Sequence, residues 1–205
     1  MNEHRNNEST AQSEEESSSK LTTAYQELLL LTGNQQHAFN YVYMNARSFH
    51  QRDYFPLVSR LARMGYTQQQ LDRFLTYIRD DVPLIIHVKE DRLYQLTLDT
   101  HYRSCFEDAC RKSAYIGKRI QWEDKMFDYA FVNKNRDRPK YACLNVTGVI
   151  CGSYETRVFG DFVITLQPHV RHRSTYIDRC SGPSASGRAA HAATCEFYAQ
   201  VVYSW

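Results

Sequence analysis

The chain has 205 residues, a hydrophobic fraction of 42% and a formal net charge of +2. That length suits one domain, or one with a small appendage, and buries a real core with no disulfide or metal to hold it. The near-neutral charge gives no electrostatic reason to expect nucleic acid or an anionic membrane as a partner. No apolar stretch reaches transmembrane length, and the N-terminus has no hydrophobic signal-peptide core.

Residues 1–20 are rich in Ser, Asn, Glu and Gln, and so poor in apolar groups that a disordered tail is expected. The tail reads either as a frayed terminus or as an uncleaved secretion signal. Residues 21–82 read as helical. Tyr25, Leu28, Leu29 and Leu31 open an amphipathic run. A second helix is expected from about Asn34, with Phe39, Val42, Tyr43 and Ala46, and a third from Tyr54 to Met64. Thr67 with Gln70 three residues on is a capping box. Leu71, Phe74, Leu75 and Ile78 then fall at i, i+3, i+4 and i+7, one buried helix face. Pro83 ends the helical region.

From Pro83 the pattern changes, and residues 83–205 are expected to form a β-rich core. Leu84-Ile85-Ile86-His87-Val88 reads as a buried strand. Residues 99–115 return to mixed helical character, and 133–139 are a polar loop. Strands are expected at Tyr141–Val146, Arg157–Leu166 and Thr175–Ile177. Ser181–Gly187 reads as a surface loop, and Cys195–Tyr203 as a closing strand. Helices, a strand, one more helical segment and several strands make an α+β domain with a mainly antiparallel sheet. The phosphate loops GxGxxG and GxxxxGK[ST] are absent.

Six cysteines are present, with no CxxC pair and no zinc-finger spacing, so no metal site is expected. Several lie in apolar runs, which reads as buried free thiols in a reducing compartment. No G-x-S-x-G elbow appears, and no local signature selects a Cys–His pair.

Three segments concentrate polar groups at strand ends. In HVKEDR (87–92), a strand leaves the core into a charged turn, or His87 and Arg92 stand at the mouth of a cleft able to hold phosphate or ribose. In RPKYACLN (138–145), Pro139 keeps Arg138 extended, and strand alternation puts Tyr141, Cys143 and Asn145 on one side. Tyr141 is either a buried phenol with a satisfied hydroxyl or an aromatic wall for a planar ring, with Asn145 as a polar contact. Glu196 sits among Cys195, Phe197 and Tyr198, where burying an acid is costly unless it is paired. It faces water from an edge strand, or it serves a site.

Together with HYRSCFE (101–107), FGDFVITL (159–166) and FYAQV (197–201), these runs resemble a microbial family first catalogued as a domain of unknown function. The order and approximate spacing agree over about residues 83–203, and the RPKY-LN run is the most specific part. That family is similar to bacterial type III effectors that ADP-ribosylate a threonine of host ubiquitin. The resemblance implies a split antiparallel sheet of ADP-ribosyltransferase type and NAD as the donor substrate. It also implies a host protein, ubiquitin first, as partner, a site of action in the host cytosol, and a role for residues 21–82 in target recognition. By the family's pattern, Arg92 or His87 takes the early-strand role, Tyr141 the middle-strand role and Glu196 the catalytic acid. Arg92, His87, Arg138, Tyr141 and Asn145 would contact NAD. The chain lacks a Ser-Thr-Ser middle run, and Tyr198 stands where relatives carry the acid directly before A-Q-V. A shift of two residues to Glu196 preserves strand face. Two other classes fit the same residues: a non-catalytic interaction module, and an NAD glycohydrolase with water as acceptor.

Overall fold

The computed structural model describes residues 22–107, 113–152, 154–177 and 192–203. The expected tail at 1–20 and loop at 181–187 lie outside these. After a short first helix, α1 (22–29), come α2 (Gly33–Arg63) and α3 (Gln68–Asp80). Strand β1 (Leu84–Val88) is followed by α4 (Glu90–Leu98) and α5 (Ser113–Met126). Then come β2 (Cys143–Leu144), a 3-10 turn (Tyr154–Phe159), β3 (Phe162–Thr165) and a second 3-10 turn (Pro168–Arg173). The chain closes with β4 (Thr175–Tyr176), β5 (Ala193–Thr194) and α6 (Ala199–Tyr203). The fold is α+β, with two small antiparallel sheets, β2-β1-β3 and β4-β5. Among the described residues, no helix is long and apolar enough to cross a membrane.

Local signals shape the first half. Thr67 accepts from the Gln70 N–H at 3.2 Å, and the Gln70 side chain accepts from the Thr67 N–H at 2.8 Å, so the capping box forms. Leu71 and Ile78 are buried on the face that it starts, and Phe74 and Leu75 pack beside them. The two helices expected around 34–64 are one. Pro56 removes a backbone donor, yet Asp53 and Leu57 on either side are both buried, so side-chain packing carries the helix through.

Every residue of β1 is buried. It pairs with β2 in the register Ile85↔Cys143 and with β3 in the register His87↔Val163. Its Leu84 face packs on a core that includes Ile78, Tyr176, Ala193, Tyr198 and Val201. Arg171, itself buried, fastens the approach to β1: Nη1 donates to the Arg79 carbonyl at 2.8 Å and Nη2 to that of Val82 at 3.2 Å.

The region after Pro83 holds more helix than expected. The charged end of HVKEDR is not a turn but the start of α4, where Glu90 and Asp91 suit the positive end of the helix dipole. Of the helical character expected at 99–115, residues 99–107 show none, 108–112 lie outside the described residues, and 113–115 open α5, which runs on to Met126. The Tyr141–Val146 strand shrinks to Cys143–Leu144, and Arg157–Phe159 coil as 3-10 before β3. Cys195–Tyr203 is not a strand. It is a turn followed by α6, which packs on α2. Short apolar runs suit either element, and here the α2 surface favours a helix.

Candidate functional site

On β1, the buried His87 uses Nδ1 to donate to the Gly160 carbonyl at 3.0 Å. A carbonyl only accepts, so Nδ1 carries a proton, and in the neutral ring Nε2 is then an acceptor. Nε2 is fully buried and has no partner among the described residues. Gly152 closes over it with φ +74°. A Cβ at that position would overlap His87 Nε2 and crowd Ile85, so only glycine fits.

Asn145 follows β2 and is likewise buried. Its N–H donates to the Pro83 carbonyl at 2.9 Å, continuing the β1 pairing. Its Nδ2 donates to the Val149 carbonyl at 3.0 Å, and its buried Oδ1 has no partner among the described residues. Gly152 N–H donates to the same Val149 carbonyl at 2.9 Å. The 148–152 loop therefore covers His87 and is tied to Asn145, two residues that each keep one bare acceptor.

Arg138 and Tyr141 meet at Glu123, on α5. Glu123 is 1% exposed and Arg138 2%. Arg138 Nη1 donates to Glu123 Oε2 and Nη2 to Asp124 Oδ1, both at 3.0 Å. The Tyr141 hydroxyl donates to Glu123 Oε1 at 2.6 Å. The Arg119 guanidinium lies 3.8 Å from the centre of the Tyr141 ring, and its Nε is 3.4 Å from Glu123 Oε1. Burial, and then the Glu123 charge, hold the Tyr141 phenol far above its ordinary range, so it is a donor and not a base. Burial pushes Glu123 up as well, against the pull of Tyr141, Arg138 and Arg119. The terminal nitrogens of Arg138 are thus engaged by protein carboxylates rather than held open as a phosphate fork.

The 101–107 run joins the same cluster. Arg138 lies over the Phe106 ring at 4.8 Å, and Lys140 Nζ donates to Glu107 Oε2 at 2.7 Å. Glu107 also receives the Ser104 N–H at 2.7 Å and pairs with His101 at 2.8 Å. Burial alone would raise its carboxyl, but Lys140, Ser104 and His101 bring it down to about 2.

The remaining candidates lie elsewhere. Arg92 is an exposed residue of α4, its N–H donating to Asp91 Oδ1 at 2.9 Å. Glu196 is exposed in the turn after β5 rather than on a strand. Its charge acts on Tyr43, Arg79, His172 and Cys195. None of these is a partner of His87, Asn145, Arg138 or Tyr141. Cys195 Sγ lies 4.0 Å from His172 Nδ1, but burial, then Glu196, push the thiol up to about 11 while burial lowers His172. This is not a thiolate–imidazolium pair. Cys143, Cys151 and Cys195 are free thiols, and of these only Cys195 is buried, so the expectation of buried thiols holds for that one alone.

Sequence reasoning missed Glu123 and Arg119, although their i, i+4 spacing is a readable signal once 113–126 is known to be a helix. Compared with known proteins, the chain matches no family model, no curated protein and no solved structure.

Proposed function

We propose that the chain is an NAD-dependent protein ADP-ribosyltransferase of ADP-ribosyltransferase-type fold, with a threonine of host ubiquitin as first-choice acceptor. One observation carries the reading. His87 Nε2, beneath the Gly152 loop, and Asn145 Oδ1, whose side chain is bonded to that loop, are buried acceptors with no partner among the described residues. A ribose offers the hydroxyl donors that such acceptors lack, and to reach His87 Nε2 it must displace the Gly152 loop that covers it. The pairing of β1 with 143–144 and 162–165, and the contacts of 101–107 with Arg138 and Lys140, also support it, because they join runs that are far apart in sequence.

In the proposed reaction the bond from ribose C1′ to nicotinamide breaks and one from C1′ to the threonine Oγ forms. Nicotinamide leaves with the bonding pair, and the hydroxyl proton passes to a base or to solvent. Charge develops on the ribose as in glycoside hydrolysis, and a carboxylate stabilises it. Glu196 is proposed as that carboxylate on the family's pattern alone, since the groups that its charge acts on are not partners of His87, Asn145, Arg138 or Tyr141. Tyr141, locked by Glu123, is the proposed wall for the nicotinamide ring. Arg92, exposed on α4, is the proposed contact for the diphosphate.

The test is incubation with NAD and ubiquitin, read by intact mass and nicotinamide release. A mass increase of one ADP-ribosyl group that vanishes in Glu196→Gln supports the reading. Full modification by that variant removes Glu196 from the role, and no nicotinamide release with any host lysate overturns the activity. A second reading, a non-catalytic interaction module, draws on one feature: Ile150 is 96% exposed, with Val158 at 74% and Phe159 at 60% near it in sequence. A contiguous apolar patch built on these residues would mark a binding surface. Absence of both nicotinamide release and an NAD-induced thermal shift would favour it.

A further inference from the structure

Residues 21–82 read from sequence as a region for target recognition, yet α2 packs directly on α6 and β5. His50, on α2, makes the most specific contact there. Its Nδ1 lies 3.2 Å from the N–H of Tyr198 and 3.2 Å from that of Ala199, and accepts from both. Only an imidazole with a bare Nδ1 does this. The ring stacks on Tyr54 at 5.7 Å and meets Phe197 edge-on at 5.7 Å. Tyr43, seven residues earlier and so on the same helix face, meets Phe197 edge-on at 5.1 Å. Arg60 Nη1 donates to the Tyr203 carbonyl at 2.9 Å and fastens the far end of α6. The turn between β5 and α6 therefore hangs on α2, and Glu196 lies within it.

We infer that His50 and Tyr43 are positioning residues: α2 fixes the Glu196 carboxylate by holding the 195–199 turn, and the hold lasts only while His50 is neutral. The catalytic half of this inference rests on the transferase reading of Glu196. The Tyr43 phenol is raised by burial and then by the nearby Glu196 charge. Burial lowers His50. The charged groups around it are Glu196 on the turn, Arg47 beside Tyr43, the Arg52–Asp53 pair on α2 and Asp72 of α3 on the Tyr54 hydroxyl. None of them is among the causes of its shift. The imidazole is thus neutral at neutral pH. As pH falls below the ordinary histidine value of about 6.5, it resists protonation, then takes the proton and loses both backbone bonds.

The experiment measures two things on the full chain: amide hydrogen exchange at Tyr198 and Ala199, and nicotinamide release as kcat and KM against pH. In His50→Ala, exchange at both amides should accelerate, and kcat should fall roughly 10- to 100-fold with KM changed far less, as for a displaced catalytic group. His50→Asn, whose Oδ1 replaces Nδ1 as acceptor, should restore protection and remove the acid limb of the kcat profile. Unchanged exchange in His50→Ala overturns the inference, and so does accelerated exchange with unchanged kcat. An inert wild-type protein would count against the transferase reading instead, and the exchange data would still decide whether His50 holds the turn.

Discussion

The hydroxyl of Tyr141 donates to Glu123 at 2.6 Å, and the other oxygen of the same carboxylate takes Arg138 at 3.0 Å. One buried acid thereby ties α5 to the chain segment that enters β2. Removing one partner of a buried ion pair leaves an uncompensated charge. Glu123→Ala is expected to cost about 3–5 kcal/mol in urea unfolding at pH 7. Tyr141→Phe, which loses one hydrogen bond to a charged group, should cost about 1.5–3 kcal/mol.

Gly152 carries positive φ and backs onto His87 Nε2, so Gly152→Ala pays for both the backbone and the overlap. A loss of about 1–3 kcal/mol is expected. In a double-mutant cycle, His87→Ala should relieve part of it, giving a coupling of at least ~0.5 kcal/mol. Additive losses would show that the two residues do not press on each other.

The Glu107 carboxyl stands at about 2, below its ordinary range, so its ionised form is favoured in the folded state. The stabilisation is present in full above the unfolded value near ~4.3 and is lost as pH falls through the folded value. Lys140→Met removes the 2.7 Å partner and should move the acid-unfolding midpoint upward. Circular dichroism followed from pH 7 to pH 1.5, in both proteins, checks this.

Glu196 is exposed in its turn, and substitution there is expected to change stability by no more than about 0.5 kcal/mol. Glu196→Gln should therefore melt with the wild type while losing transfer. A large drop in Tm would mean that the side chain holds the fold together.

Thr67→Ala removes one half of the α3 capping box and should cost about 1 kcal/mol, read from a thermal melt.

The sequence by itself determined what near neighbours decide. Thr67 and Gln70 close a cap three residues wide, the 71–78 period marks one face, and the run at 84–88 is too apolar to lie anywhere but inside. The α+β class follows from the same local patterns. Tertiary structure decided the rest. Whether 195–203 became strand or helix depended on the α2 surface that it meets, because Val and aromatic residues suit both. Tyr141 and Arg138 were visible as candidates. Their partner Glu123 was not, since a charged residue shows no sign of burial until opposite charges from distant segments surround it. His87 was legible as a histidine on a buried strand. That one of its nitrogens is bare depends on a carbonyl at Gly160 and a missing side chain at Gly152, 73 and 65 positions further along the chain. Such pairings are fixed by the fold, because desolvation and geometry, not spacing along the chain, set which polar atoms meet.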